Sequence, residues 1–326
     1  MTNPRGAVTI TDVANAAGVS ASTVSYVITG KRTISAATRR RVEETIRTLG
    51  YRRRGGSAAP VAARAGVLAV AAPLDRHLGV AMEFFAAAAG TARELGFDLL
   101  LVTDDPGPAG LHRVTSAALA DAVLVLDAGD DDPRVPVLLA SGRPAVLIGR
   151  HRGPAALPLD FAPAGQACAA HLAGLGHRSI AHLTPAAPDR LRYLAGFREA
   201  AAHRRAEALS RLCAPDDVPR CLAELLTRGG PTALVVHDEA VLPPVLAELG
   251  RRGLRVPEDV SVVAVCSATV ADRQRIRPTA VVVPARELGV RAVELAVLRL
   301  DGVPTAEPEP VTPPLVIGET TGPPGR

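Results

Sequence analysis

Two groups of residues in this 326-residue chain have side chains suited to chemistry. The first lies in SASTVSYVITGK at 20–31, where Ser20, Ala21, Ser22, Thr23, Ser25, Tyr26, Thr29 and Lys31 set short hydroxyls, a phenol and an ammonium among valines. Arg39, Arg40 and Arg41 follow, then Arg52, Arg53 and Arg54. Hydroxyls and cations together are the means of phosphate contact and groove reading on duplex DNA. The second group is His237, Asp238 and Glu239, the residue types of a general acid/base set, for which Cys266 would be a nucleophile. No GxGxxG, Walker loop, GxSxG elbow or metal-ligand pair accompanies it. Asp238 and Glu239 are expected instead to begin a helix and complement its dipole. Cys168, Cys213, Cys221 and Cys266 lack CxxC spacing and read as buried free thiols, so neither a metal nor a cofactor is expected. His112, His151, His171, His177, His182 and His203 are scattered, with His177 in LGHRS a turn or packing residue.

The first group needs a rigid mount, and the flanking residues supply one. Thr9-Ile10-Thr11-Asp12 has capping-box spacing and starts a helix with Val13, Ala14 and Ala17 on its apolar stripe. Gly18 ends that helix in a left-handed turn, and Ser20 caps a second one whose Val24, Val27 and Ile28 point inward. Ser35 caps a third helix, with Val42, Ile46 and Leu49 on one face. Two short helices about one Gly turn make a helix-turn-helix.

Charge follows the same division. Residues 1–65 hold 11 Lys+Arg against 3 Asp+Glu, a net of +8, and the rest hold 26 against 30, or −4. The basic character thus belongs to the N-terminal fifth, where phosphate would be met. No run reaches the ~18 apolar residues of a membrane span and no secretory leader is visible, so a cytoplasmic protein is expected. After Tyr51 the segment RRRGGSAAPVAARA reads as a linker. Beyond Gly66, short apolar runs alternate with helical patterns, the mark of parallel sheets covered on both faces. Strands are expected near GVLAVAAP, DLLLVT, DAVLVL and AVLIG, then SIAHL, ALVVH, VSVVAV, AVVV and PLVIGET. Helices are expected at 81–95, 111–119, 164–175, 191–203, 220–226, 240–252 and 288–300, with Pro257 halting the one before VSVVAV. The tail TGPPGR is expected to fray.

DVANAAGVSASTVSYVITG followed by TRRRVEETIRTLGY resembles, over about forty consecutive residues, the headpiece of the lactose-repressor (LacI/GalR) family of bacterial transcription factors. HLAGLGHRSIAHL at 171–183, LAGFREA at 194–200 and LAELGRRGLRVPEDVSVVAV at 246–265 resemble that family's effector domain. The resemblance implies an N-terminal all-α helix-turn-helix headpiece at 1–51, a linker or hinge at 52–65, and an α/β periplasmic-binding-protein-like effector domain of two doubly wound lobes at 66–326. It places the second helix in the major groove, with Ala21, Ser22 and Tyr26 facing base edges. Thr11, Ser20, Thr23, Ser25, Thr29 and Lys31 would then bond phosphates. The family's hinge helix carries a leucine that wedges into the minor groove; Pro60 falls at that position, leaving Arg52, Arg53 and Arg54 to hold the backbone by charge.

In the cleft between the lobes the resemblance assigns effector contacts to Asp160, Arg192, Tyr193, His237, Asp238 and Cys266. The chain departs from the family's polar pattern there. Tyr193 stands where an arginine is usual, with Arg192 beside it; an Asn-Asp pair reads His237-Asp238; a Gly-aromatic-Asp reads Ala264-Val265-Cys266; and Val283 replaces a frequent glutamine. Each lost polar partner costs about 1–3 kcal/mol of binding, and the chain has no Trp on which to stack a sugar ring. The expected effector is therefore less polar than an ordinary sugar, or the small-molecule response has been lost. The expected partners are a double-stranded DNA operator of pseudo-palindromic sequence and a second copy of the chain, giving a repressing homodimer. A solute-binding receptor with a vestigial headpiece and a cleft enzyme using His237 and Cys266 are the alternatives.

Overall fold

Helix α1, Ile10–Ala17, buries Val13, Ala14 and Ala17 and ends at Gly18, whose φ is +63°. The computed structural model describes residues 10–20, 23–24, 27, 35–49, 64–74, 77–103, 107–153, 155–184, 190–227 and 229–325. These belong to two compact units, Met1–Pro60 and Val61–Arg326. In the first, the amide of Val19 donates to Ala14 O at 3.0 Å and that of Gly18 to Asn15 O at 3.3 Å, the paired bonds of a Schellman turn. Ser20 then accepts at Oγ from the Thr23 amide at 3.2 Å, and Thr23, Val24 and Val27 have helical backbone. Ser35 does the same for Thr38 at 3.2 Å and starts α2, Ala36–Leu49. Val13, Ala14, Ala17, Val24, Val27 and Val42 close a small core, with Val19, Ile46 and Leu49 packed on it. The expected Gly18 turn and both serine caps are present; the Thr9–Asp12 capping box lies outside the described residues and side chains.

The larger unit holds two sheets. The first runs β2-β1-β3-β4-β5, all parallel, from β1 (Val67–Ala71), β2 (Asp98–Val102), β3 (Ala122–Ala128), β4 (Ala145–Gly149) and β5 (Ala156–Pro158). The second runs β11-β10-β9-β8-β6-β7, from β6 (Ser179–Thr184), β7 (Glu207–Leu212), β8 (Ala233–Val236), β9 (Ser261–Ser267), β10 (Thr279–Val283) and β11 (Leu315–Val316). Among the described strands, only β11 is antiparallel to its neighbour. The Val, Ala and Leu runs of the inner strands are buried because helices cover both faces, which a parallel sheet requires. These helices are α3 (Leu78–Glu94), α4 (Ala109–Ser116), α5 (Arg134–Ser141), α6 (Ala162–Gly174), α7 (Arg190–His203), α8 (Val218–Leu225), α9 (Leu242–Arg251), α10 (Ala268–Asp272) and α11 (Ala285–Leu300).

The chain passes between the lobes three times. It leaves the first lobe between β5 and α6, returns when α11 packs on α3 and against β3 and β4, and crosses again on the way to β11. Two of the crossings are stitched together: the Val311 amide donates to Pro158 O at 2.8 Å and the Asp160 amide to Val311 O at 2.9 Å. One apolar core runs across this hinge, joining Val70, Leu124 and Ile148 of the first sheet to Val235, Val263 and Val281 of the second.

The strands and helices expected in the larger unit are all found, with shifted ends, and three findings differ from expectation. Helix α9 is ended not by Pro257 but by a Schellman turn at Gly253, φ +73°, where the Leu254 amide donates to Leu249 O at 3.0 Å. Asp238 and Glu239 lie ahead of α9 rather than in its first turn. Thr321 and Gly322, at the start of the tail, are held by His171, His177 and Ser261 instead of fraying. The sequence reading also passed over β5, β7, α5 and α10. β7, EALSRL, is a half-exposed edge strand with no apolar run, and the other three are eight residues or fewer.

Candidate functional site

In the small unit the Gly18 turn and the Ser20 cap set the start of the second helix, which is where a helix-turn-helix presents side chains to a groove. The Ser20 hydroxyl is exposed, caps the Thr23 amide and lies 2.8 Å from Thr23 Oγ1, so both hydroxyls border the leading turn. Arg39, Arg40 and Arg41 are exposed on α2. The remaining expected DNA-contacting positions lie outside the described residues: Ala21, Ser22, Ser25, Tyr26, Thr29, Lys31, Arg52, Arg53 and Arg54, and the side chain of Thr11.

The second site is the cleft between the lobes. The carboxyl ends of the parallel strands supply Leu126, Asp127, Ile148 and Gly149 from one sheet and His237, Val265 and Val283 from the other. Leu159 and Phe161 come from the hinge, and Pro73, His77, Val80 and Ala81 from the approach to α3 and its first turn. Strand carboxyl ends are where doubly wound sheets take their ligands. The cavity volume is about 70 Å³, room for several water molecules by the ~10–15 Å³ that one needs. Arg150 lines the same space, its Nη1 3.6 Å from Asp130 Oδ2.

Behind this lining stands a column of rings. His237 meets Tyr193 edge-on at 4.8 Å between centroids, Tyr193 stacks on His182 at 5.1 Å, and Phe161 and Phe197 flank the group at 6.0 and 6.1 Å. Offset and edge-to-face pairs at these separations stabilise a core beyond their area. Tyr193 and Phe197 are brought here by α7, which lies against α6 through Gly165 and Gly196. A Cβ on Gly165 would fall 2.3 Å from Tyr193 O, and one on Gly196 2.3 Å from Ala162 O.

Of the six expected effector contacts, His237 alone lines the cavity among the described side chains. Tyr193 is fully buried behind it, and burial raises its phenol well above the ordinary value. Asp160 accepts at Oδ1 from the Ala162 amide at 3.1 Å, and Asp238 at Oδ1 from the Ala240 amide at 2.8 Å, so both carboxylates serve turns. Cys266 is 1% exposed; burial pushes its thiol up to about 12, and the Glu239 and Glu83 carboxylates add to the effect. A thiol so placed is no nucleophile at neutral pH. The Arg192 side chain lies outside the described residues. Sequence reasoning noted Val265 and Val283 as departures from the family, and both face the cavity; it missed Arg150, Phe161 and the role of Glu239, which no motif signals. Among the described residues no group of three or more metal-binding side chains occurs, and no helix is long and apolar enough to cross a membrane.

A helix-turn-helix unit joined to a hinged two-lobed α/β domain defines a DNA-binding regulator with an effector domain. Residues 9–54 match the description "Bacterial regulatory proteins, lacI family", and residues 169–321 the periplasmic binding protein-like domain. The transcriptional regulator CelR of Thermobifida fusca is 32% identical over 92% of this chain and 94% of its own. DegA of Bacillus subtilis (strain 168) is 26% identical over 97% and 98%. Among solved structures, a CelR–cellobiose complex superposes with a TM-score of 0.67 at 28% identity, covering 96% of this chain and 99% of that one. The lac repressor dimer bound to operator and the anti-inducer ONPF shares the fold, with a TM-score of 0.67 at 23% identity over 97% and 100%. The chain belongs to the LacI family of bacterial transcriptional regulators, which are not enzymes.

Proposed function

We propose that this regulator is a repressor that binds a pseudo-palindromic operator as a homodimer in the cytoplasm. Its effector is less polar than a sugar and sits between the lobes. The DNA reading is supported by the Schellman turn at Gly18 running into the exposed Ser20 cap on the Thr23 amide, and by the concentration of positive charge in the first 65 residues. A single headpiece reads too few bases for useful affinity, so two copies are joined through the effector domains. Footprinting on chromosomal fragments tests this. Two protected half-sites about one helical turn apart are expected, weakening steeply with salt; uniform protection blind to sequence would sink it.

The effector reading rests on the cleft. Leu126, Ile148, Leu159, Phe161, Val265 and Val283 make up much of the lining, with Asp127, Arg150, His77 and His237 its polar members. CelR is solved with cellobiose; the mostly apolar lining here offers a disaccharide few hydroxyl partners. Isothermal calorimetry with cellobiose and glucose is expected to show no binding. Tight binding of either would overturn the apolar reading while leaving the DNA reading intact.

A further inference from the structure

Two buried glutamates reach across the cleft in opposite directions. Glu83, on α3 of the first lobe, accepts at Oε1 from the Thr269 amide of the second lobe at 2.6 Å. Glu239, between β8 and α9 of the second lobe, accepts at Oε1 from the amides of Gly79 and, at 3.2 Å, Val80 in the first turn of α3. Its Oε2 accepts from the Ser267 amide at 3.2 Å, tying the carboxylate to its own lobe as well. Each glutamate is 6% exposed. A carboxylate so buried is costly unless several donors satisfy it. Here the Thr269 amide that donates to Glu83 and two of the three donors to Glu239 lie on the opposite lobe, and those in the first turn of α3 carry the positive end of its dipole. Gly79 makes the approach feasible: a Cβ there would stand 2.8 Å from Glu239 Oε2 and 2.8 Å from Ser267 Oγ.

In hinged two-lobed domains, closure commonly draws on contacts that a ligand makes with both lobes. We propose that Glu83 and Glu239 are a built-in latch that closes this cleft without a ligand, the chain's own carboxylates supplying the cross-lobe contacts. The inference stands on the two-lobed fold and does not depend on what the cleft binds. Opening strips both carboxylates of cross-lobe amides at once, so the two bonds act together, and an effector shifts the lobes only by its different affinity for latched and unlatched states.

The test uses the full-length protein spin-labelled at Ala89→Cys on α3 and Arg273→Cys beyond α10; both positions are exposed, whereas the four native cysteines are buried. Without ligand, the parent is expected to give one short, narrow distance distribution. Glu83→Ala with Glu239→Ala is expected to lengthen and broaden it, and Gly79→Ala to do so in part, with helix content by circular dichroism unchanged. An unchanged distribution in a folded double variant, or a parent already at the long distance, would overturn the latch. Hydrogen exchange on the unsubstituted chain decides the matter should the variants fail to fold. The Gly79, Val80 and Thr269 amides are expected to exchange about 100-fold or more slowly than exposed loop amides; loop-like exchange would count against the proposal.

Discussion

The Nε2 of His177, in the turn after α6, lies 3.0 Å from the carbonyl oxygen of Gly322 in the C-terminal tail. His177 is fully buried, with Nδ1 2.7 Å from Thr232 Oγ1, and Ser261 both donates to Gly322 O and accepts from its amide, each at 3.1 Å. A neutral ring donating from Nε2 and accepting at Nδ1 satisfies this arrangement. Burial lowers the His177 pKa, nearby His171 lowers it further, and the bond to Gly322 opposes them. The folded state therefore resists a proton that the unfolded chain accepts near the ordinary value of 6.5.

Stability is accordingly expected to be full above that value and to decline as pH falls from about 6.5 toward the depressed folded pKa, levelling off below it. His171, whose pKa burial also lowers, adds to the same slope. Urea midpoints between about pH 7.5 and pH 5 check this, and His177→Gln should flatten the curve. Deleting residues 322–326 should lower the midpoint at every pH, whereas a frayed tail would leave it unmoved.

The close approach of α6 and α7 gives a second expectation. Gly196→Ala would drive a methyl to 2.3 Å from Ala162 O, and the nearest atoms are all backbone of Ala162, which yields less readily than a side-chain tip. Overpacking of this kind costs about 1–3 kcal/mol. Equilibrium urea unfolding measures it, and a cost near zero would mean that the two helices slide apart freely. Since α7 carries Tyr193 and Phe197, the same substitution should disturb the ring column behind His237 and alter ligand binding in the cleft.

Much of this was legible in the chain for simple reasons. Gly18 and Ser20 announce the turn because left-handed backbone and N-caps each favour few residue types, and the Val-rich strands stand out because parallel sheets bury both faces. The cleft was half legible. Val265 and Val283 could be placed by resemblance, whereas Asp160 and Asp238 each accept from the backbone amide two residues on, a local contact that a short carboxylate readily makes. Glu239 was expected to complement the helix it precedes and instead reaches another helix 160 positions away. No local pattern encodes such a contact. His177 was read as a packing residue and is one, but its partner Gly322 lies in a Gly- and Pro-rich tail whose composition alone suggests disorder.

At the headpiece, capping and DNA contact can be separated at one residue. Ser20 Oγ accepts from the Thr23 amide, and Asp caps as well as Ser, whereas Ala forfeits about 1 kcal/mol. Ser20→Ala is therefore expected to lower the headpiece melting temperature, and Ser20→Asp to leave it unchanged. If Ser20 also faces a phosphate, Ser20→Asp should abolish operator binding in a fluorescence anisotropy titration despite its intact fold. Equal affinities for Ser20→Asp and the parent would remove Ser20 from the DNA contacts.

The thiols complete the case against cleft chemistry. All four cysteines are free and buried, and burial pushes Cys168, Cys213 and Cys266 up to about 12. At neutral pH the thiolate fraction of such groups is on the order of 10⁻⁵, too small for attack or ready oxidation. Ellman's reagent is expected to find no fast-reacting thiol in the native protein and four in urea. Cys266 is the informative one, because it lies at the end of β9 beside the two latch carboxylates. Its reactivity should rise in Glu83→Ala with Glu239→Ala, where opening admits water and removes two negative charges, both of which favour the thiolate. Fast labelling of Cys266 in the parent would mean that the lobes part readily and that its thiol is available after all.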